Sequence, residues 1–348
     1  MPALLWELDL PRWLPWQRPR ATRSTPTVGD PPQESPPDVG TANLVERMLA
    51  SHSFLQGVDE RLMELARATP KLLALRQFAS MDRFALEALC RAQAQPLYLG
   101  DHSALCRVLS RYKLLLDTRD RGFAAHVLLD GYWEMWLTIF MCRHIQPGMV
   151  VIDVGANFGY YTVLMADLVG PEGHVFAVEP NPVVAALLRQ SVTLNGFRSR
   201  TSIVEAAAGA SNAGPVLLYS PNGEFKNACI VASPNQVNVS DGTLYQVRQV
   251  TIDEIVSASP RVDFLKIDAE GAEESIVEGM YQCLKNHRPS LIFEFNAARY
   301  KSPKDLLKRL LSIYKIVSYL DFNSNLIQTT EAELVSRRVG EDWLLFFN

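Results

Sequence analysis

The stretch VVIDVGANFGYYTVL, from Val150 to Leu164, has the pattern of a buried strand followed by a glycine-containing turn and a helix. Three β-branched residues precede Asp153, as is typical of a strand in the interior of a sheet. Gly155 and Gly159 allow backbone conformations that other residues resist, and they let a ligand approach closely. The following helix presents free N–H groups at its start. The stretch therefore predicts a ligand site at the carboxyl end of a strand in an α/β sheet.

The sequence after Met149 alternates between short β-branched runs and helical segments, which predicts a mostly parallel sheet with helices on both faces. The predicted strands are residues 150–154, 174–178, 202–206, 263–268 and 291–295. Near the end, YKIVSYLDF and WLLFFN are expected to form a closing antiparallel pair. Residues 209 to about 260 break the alternation and predict a strand-containing insertion. Its place between two strands suits an element that covers a substrate.

The remaining sequence divides into a tail and a helical region. Residues 1–40 are predicted to be a disordered or linker-like tail, because 19–40 are rich in Pro, Ser, Thr and Gly. Residues 41–145 are predicted to be mainly helical, with YKLLLDT as one strand, and 146–348 to form the α/β domain. Trp6, Trp13 and Trp16 stand among arginines. That mixture fits either weak contact with a membrane surface or a flexible tail whose aromatics dock on the domain.

Composition excludes several classes of protein. The net charge is -4 and the pI is about 5.9, which argues against a nucleic-acid partner. The five cysteines are scattered without a C-x-x-C pair, so we expect neither a disulfide framework nor a zinc site. This cysteine usage fits a reducing compartment, and we expect a cytoplasmic protein. No apolar run approaches the roughly 18 residues of a transmembrane helix. The sequence predicts no oligomeric state.

The glycine turn has the pattern G-x-N-x-G, with Asn157 where a dinucleotide-binding turn has its middle glycine. An adenosine ligand other than a dinucleotide is therefore the better fit, and an NAD-linked oxidoreductase is disfavoured. The second strand, VFAVEPNP, ends in Glu179. An acid at this tip can accept hydrogen bonds from both hydroxyls of a ribose. The alternative is that Glu179 is a solvated loop acid.

Two later stretches place polar residues at strand tips. In VDFLKIDAEGAEESIVEGM, strand alternation puts Lys266 and Asp268 on one face, with Glu270 just beyond the strand. A lysine inside a buried strand needs a partner or loses its charge. LIFEFN repeats the arrangement on the next strand, with Glu294 and Asn296 at its tip. We expect these side chains to face the ligand site.

Four motifs in this order, PGMVVIDVGANFGYYTVLMA, VFAVEPNP, LKIDAEGAE and LIFEFN, resemble the FkbM family of S-adenosylmethionine-dependent methyltransferases. The resemblance covers roughly residues 120 to 348. It implies a class I methyltransferase (Rossmann-like) sheet of seven strands, mostly parallel with the last antiparallel. It also implies methyl transfer to a hydroxyl, commonly of a sugar or a polyketide-type product.

The resemblance also implies which residues bind S-adenosylmethionine. Those expected around its methionine end are Asp153, Gly155, Asn157 and Gly159. Glu179 is expected to hold the ribose, and a residue near 205–208 to border the adenine. Enzymes that methylate base amino groups usually carry an Asp/Asn-Pro-Pro-aromatic run where this sequence has DAEG. A small-molecule or glycan hydroxyl is therefore the expected acceptor.

A base that removes the hydroxyl proton would assist transfer. Asp268 is the favoured base, with Lys266 setting its charge and Glu270 beside it. A purely structural Lys266–Asp268 ion pair is the alternative, and His126 is the runner-up base. Acceptor contacts are expected from Glu134, Glu294 and Asn296.

The strand-tip carboxylates also raise the question of a metal ion. Asp268, Glu270 and Glu294 have the oxygen ligands of a Mg²⁺ site. Carboxylates at neighbouring strand tips are common without metal, so we assign none. Two other hypotheses remain: a methyltransferase for a polyketide-type metabolite, and a non-catalytic interaction module with the same fold.

Overall fold

The computed structural model describes residues 72–212, 214–337 and 339–348. The predicted tail, its Trp/Arg segment and residues 41–71 lie outside the described residues. Within the described ranges, no helix has the length and apolar character needed to cross a membrane.

The part that precedes the large sheet mixes helices and strands. Its elements are α1 (Leu75–Ser80), α2 (Arg83–Gln93), β1 (Leu97–Gly100), β2 (Ser103–Val108), β3 (Tyr112–Asp117), α3 (Phe123–Asp130) and α4 (Met135–His144). The three strands form an antiparallel sheet in the order β1-β2-β3. We predicted one strand here, β3. The β2–β3 turn passes through Leu109 and Ser110, both at φ 52°. Neither residue is a usual left-handed turn residue, so the hairpin leaves no turn signal in the sequence.

The α/β part begins at β4. Its elements are β4 (Val150–Val154), α5 (Tyr160–Leu168), β5 (His174–Val178), α6 (Pro182–Leu194), β6 (Thr201–Val204), β7 (Ala207–Ala208), β8 (Pro215–Pro221), β9 (Cys229–Val231), β10 (Gly242–Val250), α7 (Ile252–Ile255), β11 (Phe264–Ile267), α8 (Glu273–Glu278), α9 (Tyr281–His287), β12 (Ser290–Phe295), α10 (Pro303–Leu311), β13 (Val317–Leu320), β14 (Leu326–Gln328), α11 (Glu331–Ser336) and β15 (Trp343–Phe347).

The large sheet has the order β14-β13-β15-β12-β11-β4-β5-β6, which confirms the predicted α/β fold. β15 runs antiparallel to both β12 and β13, so the predicted closing pair forms. The sheet has eight strands rather than the expected seven, because β14 adds an antiparallel edge strand beside β13. All three residues of β14 are exposed and show no alternating pattern, which explains why the sequence did not predict it.

The strand order places β4 between β5 and β11. The chain moves from β4 toward one edge through β5 and β6, and it returns to the other side of β4 at β11. The carboxyl end of β4 is therefore the point at which the strand order reverses, where open α/β sheets bind ligands.

The division predicted at residue 145 does not coincide with a break in packing. One buried cluster contains Phe78 and Phe140 from before the boundary together with Tyr160 and Val175 from after it. α4 and the first strands of the large sheet therefore share one core, and this core fixes the start of α4 beside the end of β4.

The segment predicted as an insertion contains β8, β9 and β10, which join β7 in a third sheet of order β7-β10-β8-β9. Buried polar contacts attach it to the rest of the domain. The Asn181 amide nitrogen lies 3.1 Å from the Ser220 hydroxyl. The Phe225 N–H donates to Asp120 Oδ2 at 2.9 Å. These contacts hold the insertion against the loops that follow β3 and β5.

Candidate active site

A cleft of about 1140 Å³, including the open space at its mouth, lies at the carboxyl ends of β4, β5, β11 and β12. The insertion closes one side. Eight predicted site residues line it: Glu134, Gly155, Asn157, Glu179, Lys266, Asp268, Glu270 and Glu294. Three others are not among its lining residues: Asp153, Gly159 and Asn296.

The glycines of the turn are required by the protein's own packing. Gly155 has φ 73°, and a β-carbon there would lie 1.8 Å from the carbonyl oxygen of Asp268. Gly159 has φ 99°, and a β-carbon there would lie 2.6 Å from Leu188 Cδ1 on α6. Gly155 therefore permits β4 and β11 to end side by side, whereas Gly159 starts α5 against α6. The ligand contact expected of Gly159 stays a prediction.

Glu179 connects the end of β5 to the glycine turn. Its Oε2 accepts a hydrogen bond from the Asn157 N–H at 2.9 Å, and its Oε1 accepts one from the Asn181 N–H at 2.8 Å. The residue is 7% exposed, so it is not a solvated loop acid. Burial raises its pKa to about 7, although the two N–H donors oppose that shift. Each oxygen keeps a second lone pair, so the carboxylate can still accept hydrogen bonds from a ligand hydroxyl.

The region expected to border an adenine is partly in the cleft. Ala207 and Ala208 of β7 line it. Glu205 instead forms an ion pair with Arg189 at 2.7 Å on the surface.

Lys266 lines the cleft with only 3% of its surface exposed. Its ammonium donates to the carbonyl of Gly155 at 3.2 Å and lies 3.5 Å from both Asp153 Oδ1 and Asp268 Oδ2. Burial by itself lowers the pKa of Lys266, but the charges of Asp268, Asp153 and Glu134 outweigh it and raise the pKa. Lys266 therefore stays charged and fixes the carboxylate of Asp268, which is 35% exposed and faces the cleft.

Asp153 lies beneath the turn rather than in the cleft. It is completely buried, and the Thr162 hydroxyl donates to its Oδ2 at 2.6 Å. Burial raises the pKa of Asp153, and Lys266 counteracts the shift. Strand alternation turns the side chain of Asp153 toward α5 and Lys266. It therefore does not face the cleft, where the methionine end of a cofactor was expected. Asp153 is a partner for the buried ammonium.

Glu134 begins α4 in a left-handed conformation with φ 37°. A non-glycine residue in this conformation stores strain and is often found at a functional site. The Tyr161 hydroxyl donates to Glu134 Oε2 at 2.7 Å. Burial, reinforced by the charge of Asp268, raises the pKa of Glu134 to about 7. A carboxyl with this pKa gains or loses its charge near neutral pH.

Arg299 holds two of the strand-tip acids and was not predicted from the sequence. Its Nη1 lies 2.9 Å from Glu294 Oε2 and 3.4 Å from Glu270 Oε2, and its Nη2 lies 3.1 Å from Asp342 Oδ1. Burial and the neighbouring acids raise the pKa of both glutamates, that of Glu270 to about 7. A guanidinium thus lies where we considered Mg²⁺, and no group of three or more His, Cys, Asp or Glu in the described ranges is arranged to hold a metal.

Asn296 and His126 make contacts outside the cleft rather than facing it. The Asn296 amide donates to Asp342 Oδ1 at 2.8 Å, and its oxygen accepts from the Ala298 N–H, so it caps the short turn after β12. An acceptor contact by Asn296 is therefore not supported. His126 Nε2 lies 3.2 Å from Asp130 Oδ2, and the residue does not line the cleft. It is not positioned as a base.

Residues 153–322 match the family described as the methyltransferase FkbM domain. This part of the chain, just under half of it, is similar to that domain. The match starts at Asp153 and includes the glycine turn, Glu179 and the acids that follow β11 and β12. It confirms the resemblance of the four motifs to the FkbM methyltransferases.

Several proteins are similar to this chain. The hexuronic acid methyltransferase AglP of Haloferax volcanii is 24% identical over 201 residues, 54% of this chain and 77% of that protein. The arsenite methyltransferase of Halobacterium salinarum is 30% identical over 129 residues, which are 36% of this chain. This chain spans 32% of that relative. The crystal structure of methyltransferase FkbM from Methylobacillus flagellatus is 18% identical with a TM-score of 0.36, over 64% of this chain and 52% of that one.

The insertion, which the sequence predicted as an element that covers a substrate, forms one wall of the cleft together with the segment before α4. The insertion contributes Leu218, Phe225, Lys226, Ala228 and Ile230, and the segment before α4 contributes Phe123 and Trp133. Lys226 Nζ lies 5.4 Å from the centre of the Trp133 ring. The insertion residues belong to no motif, so only the fold reveals that they line the same cleft as the strand-tip acids.

Proposed function

We propose that this protein is an S-adenosylmethionine-dependent O-methyltransferase that methylates a hydroxyl of a sugar, glycan or glycoconjugate. The observation that carries the proposal is the arrangement of Glu179 and Asp268 in one cleft, on either side of the Gly155 turn. The match to the methyltransferase FkbM domain supports the reaction class.

The residues of the cleft suit the proposed cofactor. Glu179 has free lone pairs for ribose hydroxyls, and Ala207 and Ala208 offer a small apolar surface for an adenine. Glu134 and Asp268, beside the turn, provide negative charge for the ammonium and sulfonium groups at the methionine end. S-Adenosylmethionine supplies a methyl group already activated by the sulfonium.

The chain's own residues then orient the acceptor and accept its proton. An acceptor hydroxyl at the mouth of the cleft would donate a hydrogen bond to Asp268, whose carboxylate Lys266 holds in place. As the oxygen bonds to the methyl carbon and the carbon–sulfur bond breaks, Asp268 takes the hydroxyl proton. Positioning supplies much of the acceleration, because the displacement requires the oxygen in line with the breaking bond.

The lining of the cleft favours a sugar over a polyketide-type acceptor. Asp268, Glu270 and Glu294 can accept hydrogen bonds from several hydroxyls, while Trp133 and Phe225 present flat apolar surfaces. A polyketide-type acceptor would suit a more apolar cleft. The similarity to a protein named hexuronic acid methyltransferase agrees with a sugar.

The test is transfer of labelled methyl groups to two panels of acceptors, sugars and phenolic polyketide-type compounds. We expect methylated sugar, and at least about a 100-fold lower kcat in Asp268→Asn measured at saturating S-adenosylmethionine. Asp305→Asn, the same change at an exposed residue of α10, is the matched control. Transfer to phenolic acceptors alone would favour the polyketide alternative. Tight cofactor binding without any transfer would favour the non-catalytic module.

A further inference from the structure

Lys226 differs from the other cation that lines the cleft. Lys266 is already engaged by Asp153, Asp268 and the carbonyl of Gly155. Lys226 lies on the opposite wall, in the short helix Phe225–Asn227 of the insertion. It forms no ion pair with any residue of the described ranges. Its charge is thus available to a molecule in the cleft.

The position of Lys226 is fixed by buried contacts. Asp120 is 1% exposed and accepts hydrogen bonds from the N–H groups of both Phe225 and Ala124, at 2.9 and 2.8 Å. This ties the helix that carries Lys226 to the start of α3. A β-carbon on Gly122 would lie 2.9 Å from both Lys226 Cε and Glu224 Oε2, so the absence of a side chain there makes room for both side chains. The backbone at Lys226 is thus already ordered, which lowers the entropy cost of binding a ligand there.

The surroundings of Lys226 strengthen a contact with an anion. Its ammonium lies near the face of Trp133, and Phe225 and Ile230 line the same wall. Ionic hydrogen bonds gain strength where apolar groups exclude water. The acids of the cleft have closer partners, since Arg299 holds Glu270 and Glu294, and Lys266 holds Asp268. At longer range the charge of Lys226 lowers the pKa of Glu134 and of Glu270, so an anion at Lys226 would compete with these two acids.

We infer that Lys226 binds an acidic group of the acceptor, so that the acceptor is a sugar bearing a carboxylate. The inference rests on the proposed function, because it assigns the acceptor's charge within the same cleft. The acidic group would contact the insertion wall while a hydroxyl of the same sugar faces Asp268. Lys226 thereby becomes a residue that determines specificity rather than one that takes part in methyl transfer.

The test compares binding of glucuronate and glucose, titrated with and without S-adenosylhomocysteine. We expect the wild type to bind glucuronate roughly ten-fold or more tightly than glucose, as one charge-assisted hydrogen bond predicts. Lys226→Met should remove the preference, Lys226→Arg should keep most of it, and Lys285→Met, the same change at an exposed residue of α9, should leave it unchanged. The affinity for S-adenosylhomocysteine should be equal in all four proteins.

Two results would overturn the inference. One is an equal affinity of the wild type for both sugars, including no measurable binding of either. The other is a Lys226→Met variant that keeps the preference for glucuronate, or that loses S-adenosylhomocysteine affinity instead, which would make Lys226 a cofactor contact. The proposed function fails separately, if the wild type transfers no methyl group to any sugar.

Discussion

The carbonyl oxygen of Asp268 occupies the space that a side chain on Gly155 would need: a β-carbon on Gly155 would lie 1.8 Å from it. The Lys266 ammonium donates to the carbonyl of the same glycine and contacts the carboxylate of Asp268. The glycine turn after β4 and the acidic tip of β11 are thus one packed unit. A substitution at either position should therefore alter the structure at the other.

Gly155→Ala should therefore destabilise the protein by at least about 2 kcal/mol. The alanine would have to adopt a left-handed backbone conformation, and its β-carbon would overlap the carbonyl oxygen of Asp268. Gly196→Ala is a matched control, since Gly196 has φ 75° and nothing lies within 4 Å of the added β-carbon. It should cost only about 1 kcal/mol. Urea unfolding measures both. Equal losses of stability would mean that the close approach of Asp268 does not constrain the turn.

Lys266→Met should leave Asp153 as a fully buried carboxylate without its cation, at a cost of about 3 kcal/mol or more. Asp153→Asn removes that charge, so the double variant should be more stable than the two single losses predict. Unfolding of all four proteins in urea gives the coupling. Strictly additive losses would contradict the assigned pairing of Asp153 with Lys266.

Glu134 provides a test through pH. Its pKa is raised from 4.5 to about 7 in the folded protein, so the folded state binds more protons than the unfolded state between these values. Stability should therefore fall as pH rises through this window. Glu134→Gln keeps an acceptor for the Tyr161 hydroxyl but cannot ionise. It should reduce this fall by up to about 2 kcal/mol between pH 5 and 8, as unfolding at several pH values would reveal. If Glu134→Gln and the wild type lost the same stability between pH 5 and 8, the raised pKa of Glu134 would be contradicted.

Arg299→Met should leave Glu270 and Glu294 facing each other without a cation. The cost should be greater at pH 8 than at pH 5, where protonation relieves the repulsion, and should reach about 2 kcal/mol or more. Arg309→Met removes an exposed ion pair with Glu278 and should cost less than about 1 kcal/mol at either pH. A cost independent of pH would argue that Arg299 acts through packing alone.

The sequence predicted the large sheet well because its strands follow simple physical patterns. The β-branched residues of β4 and the glycines after it define a strand and a turn at once. The hairpin β2–β3 was missed because Leu109 and Ser110 turn the chain without glycine or asparagine. That turn is imposed by tertiary packing, and no local sequence pattern predicts it.

In the active site too, some residues could be predicted from local sequence patterns and others could not. Strand tips identified Glu179, Lys266 and Asp268 as cleft residues, since parallel strands end at one edge of a sheet. Position at a tip does not fix the direction of a side chain, and Asn296 turned out to be a cap. Arg299 contacts Glu294 from the short turn after β12, and Lys226 reaches the cleft from the insertion. Neither residue belongs to one of the sequence motifs.

The central claim is tested most directly by calorimetric titration of S-adenosylhomocysteine into the wild type, Glu179→Ala and Glu205→Ala. Glu205 is a surface acid that follows β6 as Glu179 follows β5, and it serves as the control. The account predicts micromolar binding to the wild type and to Glu205→Ala, and at least a ten-fold loss in a folded Glu179→Ala. Absence of binding to a wild type with a normal unfolding transition would contradict it.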